Sequence, residues 1–160
     1  NQKMYVLKYK MTIKNLVEIK SVGSDLIRPL RHSELRKGQD FTTTCYDKDN
    51  ENETIHIACL SQNNVISCAT FYPEFTHKLK SENPYRLRGM ATAADFTRRG
   101  LGTMLMKKAF KLLQKKDVDI IWCNARLGAL NFYKKLGFEV LGDIFNIKDI
   151  GPHYYMFKKI

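Results

Sequence analysis

Apolar and polar residues alternate along two neighbouring stretches of the chain, residues 54–60 and 65–71, and predict an antiparallel hairpin. The stretches flank SQNN at residues 61–64, a sequence whose side chains favour tight turns. A weaker alternation over residues 16–19 predicts the first strand. Residues 1–11 fit an N-terminal extension, an extra edge strand or a non-native remnant equally well.

The segment between the first strand and the hairpin predicts one helix and one polar connection. Pro29 suits the first position of a helix that we expect to run to about Lys37 and to end at Gly38. Residues 39–53 are polar and close with an acidic run at residues 47–53. We interpret that run as a solvated tip, with a negative rim for a cationic acceptor as the alternative.

The second half of the chain predicts a strand, a loop and a long amphipathic helix, followed by further strands. The helix begins at about Gly100, with apolar residues on one face and lysines on the other. The expected strands cover residues 86–92, 119–124, 139–145 and 154–159. Together these elements predict a single domain over residues 1–160, of α+β class close to α/β, with a mixed sheet and helices on both faces.

Two arginines and two glycines occupy the point where the polar loop becomes the long helix. A helix start presents unpaired backbone N–H groups, and glycine lets an anion approach the backbone closely. Arg98 and Arg99 add positive charge, so RRGLGT at residues 98–103 predicts a phosphate-binding site. The Walker pattern is absent, and the third glycine of the Rossmann fingerprint is replaced by Leu105. A larger residue in place of Gly102 is expected to occupy the position of the phosphate and to change the melting temperature little.

Two motifs, TRRGLG at residues 97–102 and ALNFYKKLGF at residues 129–138, follow each other with one predicted strand between them. In this order and separation the chain resembles the GNAT superfamily of N-acetyltransferases, most closely over residues 85–160. Thr97 replaces the usual Gln or Arg of the first motif, and Arg126 stands where many members have Asn. The resemblance implies the GNAT acyl-CoA acyltransferase fold: a mostly antiparallel mixed sheet in which the strand at residues 86–92 and the strand at residues 119–124 run parallel and splay apart.

The resemblance also implies acetyl-CoA as co-substrate, with no metal, and a set of cofactor-binding residues. Backbone groups of one strand would pair with pantetheine, a helix start would hold the pyrophosphate, and two Asn side chains would bind pantetheine or merely cap local backbone. These residues are Met90, Ala91, Thr92, Arg98, Arg99, Gly100, Leu101, Gly102, Thr103, Asn124 and Asn131.

Tyr133 is the catalytic residue that the resemblance implies, as proton donor to the leaving thiolate. A tyrosine is protonated at neutral pH and carries a donor hydroxyl. Helical periodicity alone indicates a core position for it, on one face with Ala129, Phe132 and Leu136. The general base stays unassigned: its candidates are Glu34, Glu74, His32, His56 and a water chain, and His56 fits a structural histidine within a strand.

The expected function is transfer of an acetyl group from acetyl-CoA directly to a primary amine of a small molecule or peptide. The alternative from another class is a non-catalytic, acyl-CoA-binding sensor module, and the intact Tyr133 favours the enzyme. The net charge of +11 leaves a nucleic-acid-binding module as a third hypothesis. The lysines, however, are spread over helix surfaces, and no nucleic-acid-binding signature accompanies them.

The composition of the chain indicates what class of protein it is and in which compartment it is expected. Hydrophobic content of 44% and aromatic content of 11% are typical of a globular protein. No segment resembles a membrane span or a secretion signal, and the four cysteines lack metal-ligand spacing. We therefore expect a cytoplasmic monomer or homodimer with reduced thiols, no metal and no membrane partner.

Overall fold

One mixed sheet organises residues 16–160, the part of the chain that the computed structural model describes. Its strands are β1 (Val17–Val22), β2 (Ile55–Ser61), β3 (Asn64–Pro73), β4 (Pro84–Thr92), β5 (Ile120–Arg126), β6 (Glu139–Val140), β7 (Phe145–Ile147) and β8 (Gly151–Lys159). Within these described residues the α-helices are α1 (Ser24–Leu35), α2 (Leu101–Gln114) and α3 (Leu130–Lys135). Residues 1–11, whose role the sequence left open, lie outside the described residues.

The strands follow the order β1-β2-β3-β4-β5-β8-β6 across the sheet, and β7 also pairs with β8. Only β4 and β5 are parallel neighbours within residues 16–160; the other pairs are antiparallel. The predicted fold class is thereby confirmed. The predicted hairpin is β2–β3, and Gln62 and Asn63 take the positive φ angles of 48° and 65° that a tight two-residue turn requires.

Alternate residues of the central strands pack against helices on opposite faces of the sheet. Ile57 and Cys59 belong to the large core that includes α2 and α3, whereas Ala58 and Leu60 pack with Ile27 of α1. Strands covered on both faces are apolar throughout, which explains the continuous run of buried residues in β2. We call the two sides of the sheet the α1 face and the α2/α3 face.

The parallel pair β4–β5 separates after three residue pairs. Pairing begins at Pro84 and Ile120 and ends at Arg86 and Trp122. Beyond that point β4 continues along β3, and β5 continues along β8 to Arg126. The facing edges of β4 and β5 therefore have no strand partner over their second halves, and the splay implied by the resemblance is present.

A bulge in β4 accompanies this divergence. Its register with β3 shifts between Cys68 and Thr70, so that β4 contains one extra residue. Gly89 lies in the bulge with φ of +63°, and a Cβ there would lie 3.0 Å from Arg31 Nε. Such a bulge bends its strand, and only glycine satisfies both the backbone angle and the space at this position.

The first helix was predicted five residues too short at its N-terminus. It begins at Ser24 rather than at Pro29, and it ends at Leu35. Pro29 thus lies beyond the first turn, where proline removes one helical N–H and crowds the carbonyl group of Asp25, a local cost that the buried face of α1 offsets. Asp25 lies in the first turn, where a carboxylate offsets the positive end of the helix dipole.

Two further predictions need correction. The strand expected over residues 139–145 is split into β6 and β7, because Gly142 turns the chain with φ of +81°. The acidic run is not wholly solvated, since Asp49 is buried and forms an ion pair with Arg31. In the described part of the chain, no helix has the length and apolar character needed to cross a membrane.

Candidate active site

The splay between β4 and β5 opens into a cavity of about 410 Å³. Both strands contribute to its wall, together with the end of α1, the loop that follows α1, the start of the α3 region and residues around β7 and β8. The lining residues are Leu35, Arg36, Tyr46, Arg86, Leu87, Arg88, Gly89, Met90, Cys123, Asn124, Ala125, Arg126, Gly128, Ala129, Tyr133, Ile147, Ile150 and His153.

This cavity reaches both faces of the sheet. Cys123, Ala125 and Tyr133 belong to the core on the α2/α3 face. Because neighbouring residues of a strand point to opposite faces, Asn124 and Arg126 are directed toward the α1 face. The opening therefore joins a tyrosine-bearing side to an arginine-bearing side, and two reactants can approach each other from opposite faces.

The start of α2 presents free backbone donors near the α2/α3 side of the cavity. Gly100 caps the helix in the left-handed conformation, with φ of 76° and no side-chain cap. The helical hydrogen-bond pattern begins with the N–H of Met104, which donates to Gly100 O at 3.1 Å. The three preceding N–H groups of the helix have no intrahelical acceptor, and Arg98 and Arg99 are exposed beside them. This arrangement fits an anion such as a pyrophosphate.

Gly102 is closely packed against two side chains. A Cβ there would lie 3.0 Å from Met90 Cε and 3.3 Å from the Phe132 ring. From these contacts we instead predict that a larger residue at this position lowers the melting temperature. The contact also shows that α2 begins directly against Met90, a residue of the cavity wall.

Tyr133 is a buried member of the cavity wall, with 6% of its surface exposed. The rings of Phe132 and Phe138 pack against it at centroid distances of 5.2 Å. Burial raises the pKa of Tyr133 well above the ordinary value, and the nearby Cys123 adds to the effect. Its hydroxyl has no hydrogen-bond partner within residues 16–160, yet it is not sealed from the cavity. The phenol is thus a neutral donor that is free to serve a ligand.

The structure brings some of the predicted cofactor-binding residues to the cavity and leaves others outside. Met90 and Asn124 line it together with Tyr133. The side chain of Ala91 packs toward α1, and Ser67 Oγ bonds both Ala91 O at 3.1 Å and Thr92 Oγ1 at 2.9 Å, so neither residue lines the cavity. Asn131 is exposed and is not part of the wall. Residues 98–103 form the helix start described above, next to Met90.

None of the four side chains considered as general base lines the cavity. Glu74 pairs with Arg86 at 2.9 Å and with Lys48 at 3.4 Å. Glu34 accepts from the N–H of Ala94, and a ring nitrogen of His32 bonds a backbone carbonyl at 2.8 Å.

His56 is structural, as its strand position predicted. Its Nε2 donates to Asp49 O at 2.8 Å, and its Nδ1 accepts from the Thr70 hydroxyl at the same distance. Burial lowers the pKa of His56, in agreement with a neutral ring that uses both nitrogens.

His153 is a buried residue of the cavity wall that no sequence pattern indicated. Its Nδ1 donates to Gly151 O at 2.7 Å, which leaves the lone pair on Nε2 in the neutral ring. The register of β8 places His153 opposite Arg126 of β5, and strand alternation alone could not reveal which strand would be its neighbour.

A second missed feature is the buried ion pair behind β4. Arg31 is fully buried, and it donates to Asp49 at 2.7 and 3.0 Å and to Thr70 Oγ1 at 2.6 Å. Hydrogen bonds from Arg31 and from the Tyr46 N–H outweigh the effect of burial and lower the pKa of Asp49. The signal in the sequence was a charged residue four positions after Ile27, on the apolar face of α1.

Comparison with known proteins gives concordant matches. The profile of the acetyltransferase (GNAT) family matches residues 20–138. A protein of Bacillus subtilis (strain 168), named as the uncharacterized N-acetyltransferase YitI, is 33% identical over 145 residues, which cover 91% of this chain and 97% of that protein.

Solved structures share the fold. An aminoglycoside 6'-N-acetyltransferase complexed with coenzyme A superposes with a TM-score of 0.71 at 13% identity, covering 89% of this chain and 96% of that one. An acetyltransferase of the GNAT family from Streptococcus pneumoniae superposes with a TM-score of 0.67 at 14% identity, covering 90% of this chain and 99% of that one.

Proposed function

Because this chain belongs to the acetyltransferase (GNAT) family of N-acetyltransferases, we propose that it transfers the acetyl group of acetyl-CoA directly to a primary amine of a small molecule or peptide. The observation that carries the proposal is the splay of β4 and β5, which connects the free helix start of α2 with the cavity that contains Tyr133. A cleft of this kind can admit an extended ligand arm from the α2/α3 face and an amine from the α1 face.

Two features of the chain fit the co-substrate. The N–H groups at the start of α2, with Arg98 and Arg99, would hold the pyrophosphate. Backbone groups between Met90 and Thr92, apart from Ala91 O, which accepts from Ser67 Oγ of β3, would bond the amides of pantetheine as an added strand does, with Asn124 beside them. The proposal assigns no cofactor contact to the exposed side chain of Asn131.

The transfer forms a bond between the amine nitrogen and the thioester carbon and breaks the bond from that carbon to sulfur. A backbone N–H near Ala91 would stabilise the oxyanion, and the neutral Tyr133 hydroxyl would donate the proton that the leaving thiolate needs. The amine must also lose a proton, and we assign its uptake to Nε2 of His153, directly or through water.

Direct transfer fits the state of the thiol in the cavity. Burial raises the pKa of Cys123 to about 12, so the side chain stays a thiol and lacks the nucleophilicity of a thiolate. The four cysteines are free thiols, which fits the cytoplasmic location that we propose.

A thiol-release assay with acetyl-CoA and a panel of primary amines tests the proposal, with calorimetric titration of CoA as a parallel measurement. We expect CoA to bind and at least one amine to increase thiol release above the rate without amine. Binding of CoA without turnover by any amine would instead support the acyl-CoA sensor. Absence of CoA binding would contradict both functions.

A further inference from the structure

Three arginines that line the cavity have no ion-pair partner among the described residues. They are Arg36 at the end of α1, Arg88 of β4 and Arg126 of β5. The fourth arginine of the wall, Arg86, pairs with Glu74 at 2.9 Å. Within residues 16–160 no carboxylate lies within 4.0 Å of the other three guanidinium groups. The wall of the cavity therefore carries an excess of positive charge.

Two of these guanidinium groups are held side by side. Arg36 Nη1 and Arg126 Nη2 both donate to the backbone oxygen of Leu35, each at 3.1 Å. The two residues come from different elements, 90 positions apart along the chain, and converge on one carbonyl oxygen. Each guanidinium has five N–H donors in a planar fork, so this single carbonyl leaves most of them available.

The positions of these charges come at an energetic cost. Burial and the neighbouring charge of Arg36 lower the pKa of Arg126. The group nevertheless stays charged at neutral pH, since the ordinary pKa of arginine is far higher. An anion bound between Arg36 and Arg126 would relieve both the like-charge repulsion and the unmet hydrogen-bonding capacity.

Arg88 and Tyr46 complete the same side of the cavity. The Tyr46 ring lies between two guanidinium groups, with Arg31 3.9 Å and Arg88 4.0 Å from its centroid. Arg31 is fixed by its ion pair with Asp49, so the stack holds Arg88 in place at the wall. Positive charge is thus built into the α1 face of the cavity.

We propose that the acceptor amine also carries an anionic oxygen group, a carboxylate or a phosphate, which Arg36 and Arg126 bind while Arg88 adds positive charge. The inference rests on the proposed function and names the substrate class of the same site. Its geometry places the anion on the α1 face, whereas the helix start of α2 lies on the opposite face beside Met90. The cavity of about 410 Å³ must also admit the pantetheine arm, so the acceptor is small. Polycationic amines are excluded by the same charges.

Matched pairs of amines test this proposal with the wild-type protein. Two pairs test the carboxylate: glycine is compared with glycinamide, and 4-aminobutyrate with butylamine. One pair tests the phosphate: O-phosphoethanolamine is compared with ethanolamine. Spermidine serves as the polycationic amine. Both kcat/KM in the thiol-release assay and the dissociation constant in calorimetric titration of the CoA-saturated protein are measured. We expect the anionic member of at least one pair to be favoured at least about tenfold in both quantities.

Variants then assign the preference to the arginines. Arg126→Gln and Arg36→Gln should each raise KM for the anionic amine about tenfold or more, with little change in KM for acetyl-CoA or for neutral amines. Lys107→Gln is the matched control, because it removes one positive charge from an exposed position on α2. Melting temperatures show which variants are folded. If neither arginine variant folds, the comparison of matched amines with the wild-type protein tests the proposal by itself.

Equal binding of the two members of every pair, or a preference for neutral or polycationic amines, would overturn the proposal. An increase in KM for acetyl-CoA alone would overturn it as well, by assigning the arginines to the co-substrate. Failure of the proposed function gives a different result, namely no CoA binding or no thiol release with any amine. In that event the titrations repeated without CoA still measure whether the anionic amines bind more tightly.

Discussion

Replacing Tyr133 by Phe separates the catalytic role of the hydroxyl from the structural role of the ring. The ring contacts with Phe132 and Phe138 are retained, and the change removes one oxygen atom from the cavity wall. If Tyr133 protonates the leaving thiolate, the chemical step should slow by about 10²–10⁴-fold. That factor corresponds to about 3–5 kcal/mol of lost transition-state stabilisation.

Stability should respond very differently to the same substitution. The Tyr133 hydroxyl has no hydrogen-bond partner within the described residues, so its removal breaks no bond in the folded protein. The free energy of unfolding should therefore change by less than about 0.5 kcal/mol. Tyr155→Phe is the matched control, because the Tyr155 hydroxyl bonds Thr76 Oγ1 and lies outside the cavity wall. It should lose about 0.5–1.5 kcal/mol of stability and keep its turnover.

Pre-steady-state thiol release with a productive amine measures the chemical step, and urea denaturation measures stability. Because burial raises the pKa of Tyr133 well above 10, the neutral donor persists at alkaline pH. Ionisation of Tyr133 should therefore cause no loss of rate below about pH 10. A Tyr133→Phe protein with the wild-type chemical rate would refute the assignment, since a purely structural tyrosine predicts that result.

Three other predictions concern stability and accessibility. Burial lowers the pKa of His56 from its ordinary 6.5, so its neutral form stabilises the fold above that pH. This contribution is lost as pH falls toward the folded pKa, and Asp49, whose pKa is also lowered, adds a further loss below about pH 4. Urea denaturation from about pH 7 to pH 5 should show the first loss, and a flat profile would contradict it. Gly102→Val should lower the melting temperature, whereas Gly128→Val, with nothing within 4 Å of its Cβ, should change it far less. Iodoacetamide should modify exposed Cys45 in the native protein and the three buried cysteines only after denaturation, as counted by mass spectrometry.

Local signals predicted the elements that depend on neighbouring residues. The turn at Gln62 and Asn63 needs residues that tolerate positive φ, and the sequence supplies them beside two alternating strands. The start of α2 was located within one residue because glycine precedes a regular helical pattern. These features are encoded within about ten residues of the chain, so a single sequence suffices to find them.

Features that depend on distant pairings were not predictable in the same way. Asp49 was assigned to a solvated run because residues 47–53 are all polar, yet Arg31 binds it from a helix 18 residues earlier. His153 and Arg126 become neighbours only through the register of β8 on β5. The convergence of Arg36 and Arg126 likewise requires that the end of α1 and the end of β5 meet at one carbonyl oxygen.

The buried pair Arg31–Asp49 helps to explain why the sheet stays open at the site. A buried ion pair is weak evidence for stability by itself, since apolar residues can often replace it. Here Arg31 connects α1 to Thr44 O and to Thr70 of β3 by hydrogen bonds, and its Nε lies where a side chain at Gly89 would be. The guanidinium therefore packs against the bulge that bends β4 away from β5, and it also contacts the Tyr46 ring that holds Arg88 at the cavity. One buried charge thus supports both the opening that would admit the pantetheine arm and the positive wall that would select the acceptor.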